Sequence, residues 1–288
     1  MKPVKQVAAI HDLSGYGRGS LTVVIPILST MGCNVCPLPT SILSANSHFP
    51  GFHFVDLTDE MGHIIEHWKT LALDFNAIYS GWLGSPRQID IVADFIESFR
   101  RPGQLVMIDP VLGDAGRLYA PFGPEMQDKM KELIRHASII TPNLTEAAML
   151  LDRGYSEEME LAEVKDWIME LADQGPETVI FTSAALKGQS GKTSVIAYSR
   201  LDHRMWKVSC EYLPAEYPGT GDTFSSIITG CLLQGDSLPI ALDRAVQFIS
   251  LGIRSTFGYD YDSRQGIVLE RILQALHYPV QIGSYEIL

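Results

Sequence analysis

Apolar residues fall into two kinds of run along this chain. Short, nearly continuous apolar stretches bounded by Gly, Pro, Asn or charged residues predict buried strands at Val7–Ile10, Asn34–Leu38, Ala77–Ser80, Leu105–Asp109, Ser138–Thr141 and Thr178–Thr182. Between them, apolar positions recur at helical spacing around Leu21–Met31, Asp59–Leu71, Pro86–Phe99, Pro124–Arg135 and Leu161–Asp173. Strands alternating with helices predict an α/β fold with a mostly parallel central sheet and helices on both faces. The pattern changes after Gly188. Thr193–Tyr198 and Met205–Tyr212, separated by the polar turn Ser199–His203, predict a hairpin at the sheet edge, and helices near Thr223–Gln234, Pro239–Thr256 and Ser263–Leu276 close the chain. No repeat, low-complexity tract or linker divides the 288 residues, so one domain over 1–288 is expected.

Charge narrows the partners. With 22 basic and 34 acidic residues the formal charge is −12, which argues against nucleic acid or an anionic membrane as the main partner but leaves room for a local phosphate pocket. No apolar run approaches the roughly 20 residues of a membrane span, and Val7–Ile10 stops at His11 and Asp12, too soon for a signal peptide; a cytoplasmic location is expected. The four cysteines form no disulfide framework. Cys33 and Cys36 make a lone CxxC whose odd separation puts the side chains on opposite faces of a strand, so plain thiols are expected. The string His63-Ile-Ile-Glu-His67 matches one zinc-peptidase pattern, yet its surroundings read as an amphipathic surface helix, as does the run through Lys129, Lys131 and Arg135.

The most informative segment is Tyr217-Pro-Gly-Thr-Gly-Asp-Thr-Phe224. Gly219 and Gly221 permit a tight turn with bare N–H groups, and a helix starting at Thr223 aims its unpaired N–H groups and dipole at the same point. Such a nest stabilises an anion without Lys or Arg, and Asp222 at its mouth has the chemistry to take a proton from an alcohol attacking a phosphoryl group. From spacing alone, Asp222 serves equally well as a helix N-cap. Further acids close other strands: Asp109 and Asp114 in Asp109-Pro-Val-Leu-Gly-Asp114, and Glu146 in Thr141-Pro-Asn-Leu-Thr-Glu146. In an open α/β sheet, ligands bind beyond the carboxyl ends of strands, so these acids are candidates for one crevice whose hard oxygens suit Mg2+ and phosphate. Each alone reads as a cap or a solvated loop charge.

Taken in order, Ser80-Gly-Trp-Leu-Gly-Ser85, DPVLGD, TPNLTE and GTGD resemble the pyridoxal kinases of the ribokinase-like superfamily over nearly the whole chain. The resemblance implies a three-layer sandwich and ATP-dependent phosphorylation of the 5′-hydroxyl of pyridoxal, pyridoxamine or pyridoxine by a homodimer. ATP and Mg2+ are implied cofactors, with a monovalent cation such as K+ as a further ion. By the same resemblance, Asp222 takes the place of the catalytic base and the amides of Gly219, Thr220 and Gly221 that of the anion hole. Asp114 and Glu146 match the metal-organising acids. Asp109, Thr141, Thr182 and Ser183 match nucleotide-site positions, as does Glu146. Ser47, His48 and Trp82 match the substrate side, Trp82 standing where the family commonly has Tyr. The amino-terminal loop departs from the pattern: without a gap Asp12 takes the place of a serine facing the pyridine ring, whereas a two-residue shift restores Ser14. Three rivals are a hydroxymethylpyrimidine (phosphate) kinase, which often has Cys in the anion-hole motif, a nicotinamide-nucleotide-hydrate dehydratase, whose asparagine-rich lead-in is missing before Gly219, and a non-catalytic vitamin-binding regulator.

Overall fold

Residues 3–120, 122–278 and 285–288 are described by a computed structural model. Their strands are β1 (Lys5–Ser14), β2 (Cys33–Leu43), β3 (Phe54–Asp56), β4 (Ala77–Ser80), β5 (Leu105–Ile108), β6 (Gly113–Asp114), β7 (Arg117–Leu118), β8 (Ile139–Ile140), β9 (Thr178–Ala184), β10 (Lys192–Ser199), β11 (Arg204–Glu211) and β12 (Tyr285–Ile287). The helices are α1 (Leu21–Thr30), α2 (Thr58–Thr70), α3 (Pro86–Phe99), α4 (Pro124–Leu133), α5 (Leu144–Leu150), α6 (Leu161–Asp173), α7 (Thr220–Gln234) and α8 (Leu238–Phe257).

Ten strands form one sheet in the order β12-β11-β10-β9-β8-β5-β4-β1-β2-β3. The run from β9 to β2 is parallel, while β3 and the β10–β12 end pair antiparallel. Strand alternation divides the core in two. Ala8, Ile10, Ile78, Val106 and Ile108 point to the side covered by α2–α6, and Val7, Ala9, Ala77, Tyr79 and Met107 to the side covered by α1, α7 and α8. Buried on both faces, these strands carry the unbroken apolar runs visible in the sequence.

Two features position the site. The chain turns to opposite sides of β1 to place β2 and β4, which makes the gap between the carboxyl ends of β1 and β4 a topological switch point, where α/β sheets bind ligands. In the β1–β2 pairing, His11 faces Pro39 but Leu13 faces Ile42, so β2 carries one extra residue opposite Asp12. A bulge there bends the strand and re-aims the side chains at its rim.

The expected hairpin forms as β10 and β11, with β12 added outside it, an element the sequence pattern did not reveal. The predicted helix Ser263–Leu276 is corrected to three short 3-10 turns, Ser263–Gln265, Leu269–Arg271 and Leu273–His277. Gly266 explains the break. Its φ is +79°, and a Cβ there would lie 2.8 Å from the Arg18 carbonyl oxygen and 2.9 Å from that of Pro218. Among the described residues, no helix is long and apolar enough to cross a membrane. Cys33 and Cys36 lie on β2 without a disulfide between them, and His63 lies exposed on α2 beside Glu60.

Candidate active site

Helix α7 begins at Thr220, three residues earlier than the sequence predicts, with Gly219 as its N-cap at φ +80°. That conformation suits glycine, and no side chain would fit: a Cβ at Gly219 would lie 2.6 Å from the Arg18 carbonyl oxygen. The Gly219 carbonyl accepts from the Thr223 N–H at 2.9 Å and from its hydroxyl at 2.7 Å. The N–H groups of Thr220, Gly221 and Asp222 therefore belong to the first helical turn, where the helix itself supplies no acceptor and the dipole favours negative charge. Asp222 is not the N-cap. Its Oδ2 instead accepts the Ser20 backbone N–H at 2.7 Å, a tie across 202 residues that fixes the carboxylate. Ser20 holds that N–H in place from a left-handed φ of +49°, unusual for a residue with a side chain.

The structure brings three further acids toward Asp222, Glu146 by way of Asp109. Asp12 comes from β1, Asp109 follows β5 and Glu146 lies in α5; all three are buried, and the Asp222 side chain is 15% exposed. Burial pushes Asp222 up to about 6, against the Ser20 N–H, which lowers it, and with help from the Asp12 charge. Burial and the Asp222 charge push Asp109 up to about 8, against hydrogen bonds from Thr141 and Ser225. Glu146 is raised by burial and by Asp109, although it accepts the N–H groups of Asn143 at 2.8 Å and Leu112 at 3.3 Å. Its own N–H donates to the Asn143 side chain at 2.9 Å, so this acid is half of a capping box that ties α5 to the loop after β5.

Several of these neighbours are silent in the sequence. Tyr79 is buried on β4, its phenol held well above the usual range by burial and by Asp222 and Asp109. Ser225, one turn into α7, sits 2.9 Å from the Thr141 hydroxyl and 3.5 Å from Asp109 Oδ2. His11 is fully buried, with Nδ1 3.7 Å from Asp222 Oδ1. The β6–β7 hairpin was also missed; its two-residue turn, Ala115 at φ +48° and Gly116 at φ +74°, carries Asp114 to the crevice rim. Asp114 is exposed and accepts the Ala115 N–H at 2.8 Å.

Most of the remaining predicted residues have partners of their own. Thr141 is buried, with its hydroxyl engaged by Ser225 and Asp109. Thr182 and Ser183 end β9; the first is half-buried and donates its N–H to the Pro142 carbonyl, and the second is exposed. Ser47 and His48 are exposed in the loop after β2, where the His48 N–H is held by Asn46 Oδ1 at 3.1 Å. Trp82 stacks on Phe122 at 6.0 Å and meets Phe54 edge-on at 6.2 Å, so the indole is already engaged on the α3–α4 side. Asp12 and Ser14 are hydrogen-bonded to each other. The Ser14 hydroxyl donates to Asp12 Oδ2 at 3.2 Å, and Ser20 adds a second donor to the same carboxylate.

The donor set suits a hard cation and phosphate. It consists of carboxylates raised by burial and mutual repulsion, beside a helix start that favours anions. Among the described residues, no group of three or more His, Cys, Asp or Glu is arranged to hold a metal by itself. A Mg2+ ion would therefore take most of its ligands from phosphate and water, as is usual for that ion.

A model of the phosphomethylpyrimidine kinase family matches residues 26–266. A Bacteroides thetaiotaomicron protein proposed to be a phosphomethylpyrimidine kinase is 59% identical, with TM-score 0.97 and coverage of 100% of this chain and 99% of that one. An orthorhombic form of it with pyridoxal superimposes with TM-score 0.96 over 99% and 100% of the two chains. Pyridoxal kinase from Lactobacillus plantarum is 30% identical, TM-score 0.86, over 96% and 97% of the chains. Pyridoxal kinase from Arabidopsis thaliana is 27% identical over 263 residues, 87% of this chain and 83% of its own length.

Proposed function

This chain belongs to the phosphomethylpyrimidine kinase family of alcohol phosphotransferases, and from that premise we propose that it phosphorylates the 5′-hydroxyl of a vitamin B6 compound with ATP. The observation that carries the choice of acceptor is the pyridoxal held by the 59% identical Bacteroides thetaiotaomicron protein. The pyridoxal kinases of Lactobacillus plantarum and Arabidopsis thaliana support it. A second reading, hydroxymethylpyrimidine (phosphate) kinase, is favoured by the family model itself and by the proposed activity of that same relative.

In the proposed reaction the acceptor oxygen attacks the γ-phosphorus while its proton passes to the Asp222 carboxylate. The bond from the γ-phosphorus to the β,γ-bridging oxygen breaks, and its electron pair leaves with ADP. The N–H groups of the N-cap Gly219 and of Thr220 and Gly221 in the first turn face the charge that gathers on the transferring group. The Ser20 N–H holds Asp222 still, while burial and the Asp12 charge keep its basicity near neutrality, where a general base works best. Glu146 and Asp114 would hold Mg2+, partly through water, and the ion supplies neutralisation of phosphate charge. Asp109, Thr182 and Ser183 flank the nucleotide side, and Asp12 with Ser14, Ser47 and His48 the vitamin side. A homodimer and a monovalent cation such as K+ belong to the same proposal and rest on the family resemblance, while a single domain and a cytoplasmic location rest on the sequence pattern.

A coupled ADP-release assay across pyridoxal, pyridoxamine, pyridoxine and hydroxymethylpyrimidine tests the acceptor. The expected result is a kcat/KM for at least one B6 compound about tenfold or more above that for the pyrimidine, within the range that pocket contacts discriminate. The reverse order would establish the second reading. No ADP with any acceptor would point to a non-catalytic binder.

The Asp12–Ser14 pair carries its own prediction. Asp12→Ser removes a charge that raises Asp222, so the acidic limb of kcat/KM should move below pH 6. KM for the vitamin should rise about tenfold with KM for ATP unchanged. Ser14→Ala, which removes only one donor to Asp12, should act in the same direction more weakly. Stopped-flow binding and initial rates over pH 5–9 measure both; an unmoved limb in Asp12→Ser would separate Asp12 from the site.

A further inference from the structure

His11 has a surrounding that packing does not explain. Its side chain is 0% exposed, and neither ring nitrogen makes a well-aligned hydrogen bond; the Tyr79 backbone is the one polar group besides Asp222 close enough to act on the ring. A buried polar group left in that state is costly, and an apolar residue of similar size would fill the same space without the cost. The ring is nevertheless held tightly. It packs edge-on against Tyr79, with centroids 4.4 Å apart and planes at 81°. On its other side, Gly81 leaves no room: a Cβ there would fall 2.3 Å from Nδ1 and 2.4 Å from Cε1. The group that Nδ1 approaches is Asp222, with Oδ1 at 3.7 Å.

We propose that His11 is a positioning residue for Asp222, a neutral imidazole locked by Tyr79 and Gly81 whose Nδ1–H orients the carboxylate's Oδ1 while the Ser20 N–H holds Oδ2. The consequence for catalysis rests on the reading of Asp222 as the base. At 3.7 Å the contact is longer than a hydrogen bond, and catalytic hydrogen bonds reach their full alignment only in the Michaelis complex. Burial pushes the imidazole down to about 3, against a weaker upward pull from the Tyr79 backbone, so at neutral pH it acts as a dipole and not as a counter-charge. The other groups facing Asp222 are Asp12 from β1, the Tyr79 phenol from β4, Asp109 after β5, and Tyr119 after β7, all of which are acids. A neutral donor there offsets part of their repulsion without cancelling the basicity that a cation would suppress.

Three variants test this: His11→Asn, whose amide nitrogen stands near the position of Nδ1; His11→Leu, which fills the space without a donor; and Gly81→Ala, which displaces the ring. Two readouts are kept separate: steady-state kinetics over pH 5–9, and the titration of the Asp222 carboxyl by carbon NMR in the free protein, which needs no activity. In His11→Leu, kcat should fall about tenfold or more with KM for ATP unchanged, and the Asp222 midpoint should rise above about 6 by roughly half a pH unit or more. Gly81→Ala should raise it too, and His11→Asn should keep both values near the parent's, within about threefold in kcat. A packing role predicts the opposite order, with Leu as active as the parent and Asn worse. An unmoved Asp222 midpoint in both His11→Leu and Gly81→Ala overturns the proposal. If Asp222→Asn proves fully active, the base reading fails, yet the carboxyl titration still decides whether His11 positions Asp222.

Discussion

Asp222→Asn should lower kcat by at least about a hundredfold, the lower end of what a general base contributes, with KM for ATP within about threefold of the parent. Asn keeps the shape of the side chain and an oxygen to accept the Ser20 N–H at the same place, so the helix start and anion nest are left intact. The pH profile identifies the group. With Asp222 pushed up to about 6, kcat/KM of the parent should fall on the acid side of that value, and the residual activity of the variant should lack that limb. Stability should move the other way. The folded state holds a proton on Asp222 between its ordinary 3.8 and about 6, where the unfolded chain has released it. Where the native state binds more protons, stability falls as pH rises, so this carboxylate weakens the fold fully only above about pH 6. Asp222→Asn should therefore melt higher than the parent at pH 8 and at the same temperature near pH 4. Near-normal turnover by this variant, together with an unchanged acidic limb, would remove Asp222 from the role of base.

Two acids of this crevice were readable from the apolar runs before them, Asp109 at the end of one and Glu146 in the first turn of the helix after another. Asp109 and Glu146 follow strands whose two-sided burial forbids polar residues, and that contrast marks the strand ends where an α/β sheet binds ligands. Gly219 and Gly221 were readable for a related reason, since two glycines beside a helical pattern leave few local conformations other than a tight turn. His11 and Tyr79 gave no such signal. Both lie in or at the end of apolar strands and look like core until the bulge opposite Asp12 and the packing of Gly81 bring them to the carboxylate. Ser225 is hidden in the same way, as one small residue of a nearly all-buried helix. The broken segment after Ser263 shows the opposite failure. Its apolar spacing is helical, but Gly266 is pinned between two carbonyls from elsewhere in the chain, and tertiary contact overrides the local pattern. The hydrogen bond between Asp12 and Ser14 was likewise beyond the sequence, which shows their spacing but not that one side chain donates to the other.

The two glycines of the proposed anion nest should separate stability from activity. Gly219 stands at φ +80° with the Arg18 carbonyl 2.6 Å from where a Cβ would lie. Gly219→Ala must strain the backbone and push that segment away, at a cost of at least ~1 kcal/mol, and should lower Tm by several degrees. Gly221 is different. It lies inside the first turn of α7 without a positive φ, and a Cβ there would meet only Asp109 Oδ2, at an ordinary 3.7 Å. Alanine is favoured over glycine in a helix by up to ~1 kcal/mol, so Gly221→Ala should hold or raise Tm, by roughly 2 °C for a chain of this size. Its methyl group, however, points into the crevice between the first-turn amides and Asp109, where the proposed mechanism puts the transferring phosphoryl group. Loss of an anion-stabilising contact costs on the order of 10²–10³ in rate, and both variants should lose kcat/KM for ATP on that scale. The pair therefore makes a sharp comparison: one variant is less stable and inactive, the other at least as stable and equally impaired. Differential scanning fluorimetry and initial rates at varied ATP measure the two axes. If Gly221→Ala retains full kcat/KM for ATP, no phosphate approaches that face of the helix, and the anion must be bound elsewhere along the crevice.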